Sequence, residues 1–194
     1  MDLNQCIPIK TKRLFLDKFL SEDWVEYFKI VNSHEDQKHN YDKYEPRSES
    51  QIKEKIRKLS EQNYNKKKLP FLLSVRLVEN KKLIGFVGLK NGKLEKFGQI
   101  EVYYSISKDF WNNGYGTETL KGIIGFGFKT MKLHRIFAGC DIDNLASKAV
   151  MEKAGMQFES YWRKDRFRNG KWADGLGFAI LRCDYNRLKS DYSG

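Results

Sequence analysis

Cysteine is scarce in this 194-residue chain, and Cys6, Cys140 and Cys183 lie far apart. They form no metal-ligand spacing and cannot complete an even set of disulfides. Histidine is equally rare, and His34, His39 and His134 make no cluster. No metal is therefore expected. No stretch approaches the roughly 18 consecutive apolar residues that a membrane span needs. Met1 to Lys12 lacks the apolar core of a secretory signal. Repeats and linkers are also missing. These absences lead us to expect a reduced, cytoplasmic protein with no membrane partner. Residues 1–194 are expected to form one domain, a length that supports a substantial core.

What the chain does have is ordinary for a globular protein, at 40% hydrophobic and 31% charged residues. Its balance is basic, with 36 Lys and Arg against 25 Asp and Glu for a net charge of +11. That excess favours polyanionic partners and disfavours a polycationic substrate, which prefers an acidic pocket. Solvated lysines explain part of it, and Lys66-Lys67-Lys68 suits an exposed loop.

Hydrophobic spacing orders the elements. Thr11 to Phe19 alternates as a strand, with Leu14 and Leu16 on one face. Ser21 suits the N-cap of a helix whose apolar side is Trp24, Phe28 and Val31. A polar stretch punctuated by Pro46 follows. A second helix begins near Ser50, with Ile52, Ile56 and Leu59 in one stripe. Three apolar runs then alternate with turns, at 71–78, 83–90 and 99–106, punctuated by Asn80 and Asn91-Gly92. A helix carrying Leu120, Ile123, Ile124 and Phe128 comes next, followed by a strand near 135–141. A further helix is closed by Gly155, and the last hairpin turns at Asn169-Gly170. The order is β-α-α-β-β-β-α-β-α-β-β. It predicts an α/β (α+β) fold with a mixed, mostly antiparallel sheet of six to seven strands and helices on both faces.

The most informative stretch is Trp111-Asn112-Asn113-Gly114-Tyr115-Gly116-Thr117-Glu118, which runs straight into the Leu120 helix. Its glycines allow a tight turn and a close approach to a ligand. The first helical N–H groups lack internal partners and sit at the positive end of the dipole, which suits a phosphate. Thirty residues on lies Asn144-Leu-Ala-Ser147-Lys-Ala-Val150-Met151-Glu152-Lys153-Ala154-Gly155-Met156.

Together these motifs resemble the GNAT acyltransferases, and most closely the branch that acetylates ribosomal-protein N-termini. Gly114 and Gly116 match the glycines of the family's Q/R-x-x-G-x-G/A turn. Asn144, Ser147, Glu152, Lys153, Gly155 and Met156 match the later motif. Trp111 stands where most relatives have Arg or Gln, a substitution that itself looks like the ribosomal-protein branch. The likeness extends from Thr11-Lys12-Arg13-Leu14 to near Leu181.

The resemblance implies an acetyl-CoA donor, with Trp111 through Thr117 at its pyrophosphate, Asn144 and Ser147 at the pantetheine arm, and Ile106 beside them. A backbone N–H between Tyr104 and Ile106 would meet the oxyanion. Glu101, in a segment like the family's E-I-G-Y-x-I strand, is the expected base, although a carboxylate there also suits an ordinary salt bridge. Many relatives place a tyrosine acid at the position of Met151, and a thioether has no proton to give. Ser147 is the preferred substitute and Tyr104 the second. Asn144 and Ser147 equally suit helix capping. Asp174 is the expected contact for the amine, with a turn charge as the alternative. Tyr41, Tyr44, Trp162 and Arg163 are further lining candidates.

The acceptor expected from this resemblance is a protein N-terminal α-amine. Such a group, of pKa ~7.8, is about 10–15% neutral at pH 7, whereas a lysine near 10.4 is below ~0.1% neutral. It therefore asks little of a base. A small amine acceptor stays open, as does a non-catalytic module binding CoA and a ribosome or RNA. Both monomer and homodimer are compatible with the sequence.

Overall fold

Alternation in the apolar runs builds one mixed sheet, and the helical stripes cover its two faces. The structure is a computed structural model that describes residues 3–33, 46–62, 64, 70–91, 97–168 and 170–190. Tyr41, Tyr44, His34, His39, the three lysines at 66–68 and Asn169 lie outside the described residues. The strands are β1 (Ile9–Lys10), β2 (Leu14–Asp17), β3 (Phe71–Leu77), β4 (Leu83–Asn91), β5 (Gln99–Ile106), β6 (Arg135–Asp141), β7 (Gln157–Arg168) and β8 (Lys171–Leu181). The described α-helices are α1 (Trp24–Asn32), α2 (Glu49–Ser60), α3 (Tyr115–Lys129), α4 (Leu145–Lys153) and α5 (Arg182–Ser190). Among the described residues no helix is long and apolar enough to cross a membrane.

Strand order is β1-β2-β3-β4-β5-β6-β8-β7, and every neighbouring pair is antiparallel except β5 with β6. Among the described residues the sheet has eight strands, where six or seven were expected. The extra one is only Ile9–Lys10, which pairs with Phe15–Leu16 and is too short to show a period. Helix α5 was not anticipated either. Its sequence is mostly polar, and it is held by Tyr185 stacked 5.1 Å from Phe128 and by Asp184, which accepts from Leu181 N–H at 3.1 Å.

Leu120, Ile123, Ile124 and Phe128 of α3 pack with Ile100, Val102, Ile136, Ala138 and Phe178 on one face of the sheet. On the other, Tyr27 and Ile30 of α1 and Ile52 and Ile56 of α2 cover Leu72, Phe86 and Tyr103. Helix α2 starts one residue before the expected position. Ser48 and Gln51 form a reciprocal capping box, with bonds of 3.3 and 2.9 Å. Ser21 does not cap α1 as expected. It opens a 3-10 turn, and Asp23 closes that turn by accepting from Leu20 N–H at 2.7 Å.

β3 is buried along its whole length, so its polar side chains need internal partners. Ser74 donates to the Asp17 carbonyl at 3.0 Å. Arg76 pairs with the buried Asp23 carboxylate and donates to the Lys81 carbonyl at 3.2 Å. Removing one member of a buried pair strands the other charge. Asp23→Ala should therefore lower stability by about 3–5 kcal/mol, read as a fall in the urea midpoint. A loss within the range of exposed ion pairs would show that water reaches Arg76.

Candidate active site

β5 and β6 pair in parallel only at Gln99–Arg135, Ile100–Ile136 and Glu101–Phe137. Beyond Glu101, β5 continues against β4 as far as Ile106, while β6 continues against β8 as far as Asp141. The two strands part and leave a notch. The start of α3 lies at the far end of β5, beside that notch.

The turn into α3 forms as the glycines require. Gly114 is the N-cap residue in the left-handed region, at φ 77°, and no side chain caps the helix. The first N–H groups of α3 are therefore left without helical acceptors. Trp111 anchors the turn to the end of β5, its indole N–H donating to the Ile106 carbonyl at 2.6 Å. Asn113 donates to the Trp111 carbonyl at 2.8 Å, and Asn112 holds a left-handed φ of 60°. Gly116 faces Val150 of α4, where a Cβ would stand 3.4 Å from a methyl group. Thr117 lines a groove of about 540 Å³ with Thr11, Gly114, Glu118, Lys121, Gly122 and Lys153. Uncapped N–H groups and two lysines make this groove fit a phosphate-bearing ligand.

Sequence reasoning missed the clamp on this turn. Glu118 accepts from Thr11 Oγ1, Arg13 N–H and Arg13 Nε, each at 2.7 Å. Arg13 also donates to the Asn113 carbonyl at 3.0 Å and lies 4.5 Å from the centre of the Tyr115 ring. Only the Thr11–Leu14 end of the family resemblance hinted at it. A carboxylate facing a phosphate site would normally repel the ligand, but here its charge is spent on Arg13.

On the α3 side of the notch, the Tyr104 hydroxyl lies 3.1 Å from Ser147 Oγ. Burial pushes the Tyr104 phenol well above its usual range, against a smaller opposing pull from Ser147. Asn144 Oδ1 accepts from Ser147 N–H at 3.0 Å and so caps α4. The cap uses the amide oxygen alone and spends neither amide donor. Met151 is fully buried in the core. Glu101 is offset from Tyr104 by an odd number of residues and so points to the opposite face of β5, where Lys90 Nζ holds it at 3.0 Å. The candidate acid pair and the candidate base therefore flank the notch from its two sides. Asp174 stands apart on β8. It accepts from the Tyr161 hydroxyl and from Lys164 N–H at 2.9 Å, and those bonds hold its carboxyl below the usual range. The Cys140 thiol, on β6, is pushed up to about 11 by burial. Among the described residues there is no cluster able to hold a metal ion.

Burial pushes the Glu118 carboxyl up, but the bonds from Thr11 and Arg13 outweigh it and the net shift is downward. A carboxyl lowered in the folded state stabilises above its unfolded pKa, about 4.3, and loses that contribution as pH falls through the folded value. Glu118→Gln should thus lower the thermal midpoint at pH 7, and the gap to the parent should close below about pH 4. A gap independent of pH would mean that charge is irrelevant to the clamp.

A model of the acetyltransferase (GNAT) domain matches residues 13–157. The Bacillus subtilis (strain 168) protein named "Uncharacterized N-acetyltransferase YnaD" is 30% identical over 183 residues, spanning 92% of this chain and 99% of that protein. Two Vibrio cholerae structures share the fold. A spermidine N-acetyltransferase in complex with CoA and spermine aligns with a TM-score of 0.76 at 19% identity, over 91% of this chain and 99% of its own. A second, named "putative ribosomal-protein-serine acetyltransferase", aligns at 0.68 and 21% identity, over 89% of this chain and 96% of its own. With the motifs of both loops set at one notch, the chain belongs to the GNAT acetyltransferase family.

Proposed function

We propose that this protein moves an acetyl group from acetyl-CoA directly to the N-terminal α-amine of a protein, of the ribosomal-protein type. The observation that carries the reading is the notch itself, with an uncapped phosphate turn at one end and polar side chains flanking it on both sides. When bound, acetyl-CoA supplies the activated thioester and a phosphate-rich handle. The α3 N–H groups, Lys121 and Lys153 hold the phosphates, and Asn144 has amide donors left for the pantetheine arm.

Glu101 takes the proton from the attacking amine, directly or through a water. Tyr104 stays protonated at neutral pH and, paired with Ser147, gives a proton to the departing thiolate. No acyl-enzyme is needed. Cys140 is buried and its raised thiol is a poor nucleophile. That favours a ternary complex.

The charge pattern favours an α-amine over a polyamine. Glu101 is paired with Lys90, Asp174 with Lys164, Asp141 with Arg166 and Glu159 with Arg135. A polycation entering here meets carboxylates already neutralised by the chain.

The test is free-thiol release from acetyl-CoA across peptides with Ser or Ala N-termini, spermidine, free amino acids and aminoglycosides. Turnover confined to the peptides is expected. Preference for a small amine would move the acceptor class. Silence throughout, with acetyl-CoA bound and salt-sensitive RNA binding, would replace catalysis with a binding role. Glu101→Gln should cut kcat by about 10²-fold while acetyl-CoA affinity holds. An unchanged kcat would remove Glu101 from the chemistry.

A further inference from the structure

Glycines occupy three neighbouring positions on one face of the β6–β8 pair. Gly139 lies opposite Gly177, and Asp141 lies opposite Gly175. Glu101 pairs with Phe137, two residues before Gly139, so this is the face that carries the candidate base. Glycine in a strand marks a site where another group comes close to the backbone. Here that group is Trp162. A Cβ would stand 2.8 Å from its Cζ3 at Gly139, 3.1 Å from Cε3 at Gly175 and 2.7 Å from Cζ2 at Gly177. The indole therefore lies flat on a glycine floor, and it remains only half-buried.

Arg166 occupies the edge of the same floor. Its Nε would be 2.7 Å from a Cβ at Gly175 and its Nη2 2.7 Å from one at Gly139. Only 5% of its side chain is exposed, it pairs with Asp141 at 3.7 Å, and its guanidinium lies 5.6 Å from the Trp162 ring centre. An irregularity in β7 sets this spacing. Trp162 and Arg166 are four residues apart but lie opposite Gly175 and Ala173, only two apart, with Lys164 in the left-handed region at φ 49°. Among the described residues, the core beneath α1 and α2 includes none from β6, β7 or β8. Among the described residues, this part of the face carries Trp162 and Arg166 where the other part carries helices.

We infer that the Trp162 indole is a binding subsite for the acceptor, receiving the uncharged, planar or apolar part of the peptide that follows the reactive amine. The inference rests on the proposed function above. An aromatic face stacks on amide planes and apolar side chains, and it also attracts cations. The Arg166 guanidinium already takes the cation position beside the ring, so the open part of the indole is left for a neutral group. The subsite thus selects for neutral groups and against polyamines.

The experiment measures affinity by calorimetry on the CoA-bound protein, so it tests the subsite whether or not acetyl is transferred. The ligands are a tetrapeptide with Ser at its N-terminus and serine amide, which is too short to extend beyond the reactive end. Trp162→Ala should weaken the tetrapeptide about tenfold, the scale of one lost aromatic contact. Serine amide and CoA affinities should hold. Trp162→Phe should restore most of the tetrapeptide affinity. Equal weakening of both ligands, or of neither, would overturn the subsite. Failure of the wild type to acetylate any peptide would overturn the function reading instead.

Discussion

The molecule is organised by a pairing that stops early. β5 and β6 are joined by three parallel residue pairs, after which each strand keeps only its outer neighbour. Parallel strands need a crossover, and here it is α3, which leaves the end of β5 and packs back across the sheet. Because each half-sheet is complete on its own side, the parting costs the core little. It leaves an edge of backbone along the inner side of each strand. The phosphate turn, the Tyr104–Ser147 pair and Glu101 draw their relation to one another from this divergence.

Much of the architecture was legible from local pattern. The 135–141 strand, the three apolar runs and the α3 stripe fall where periodicity placed them, because each buries a face that its own spacing defines. What escaped was non-local or too short. Glu118 lies about a hundred residues from Thr11 and Arg13, and no spacing rule joins it to them. β1 has two residues and owes its state to its partner. Alternation alone separates Glu101 from Tyr104 across the sheet. That both still flank one notch follows from the divergence of two strands, which neither strand's sequence encodes. Asn144 shows the opposite case, since capping and ligand contact draw on different atoms of one amide.

The positive charge is distributed unevenly in its use. On the face that carries Glu101, the basic side chains Lys90, Arg135, Lys164 and Arg166 are matched to carboxylates. At the α3 groove, Lys121 and Lys153 stand beside uncapped N–H groups. The basic side chains are thus used differently in the two places: four are matched to carboxylates on the face of Glu101, and two lysines line a groove suited to an anion.

The uncapped start of α3 has a consequence for the lifetime of the protein. A helix that leaves its first donors unmet is finished only when something else meets them. Any anion that does so binds the folded chain and not the unfolded one, so it stabilises the fold by RT ln(1 + [L]/Kd). The fraction of chains open to proteolysis through unfolding therefore falls as such a ligand accumulates.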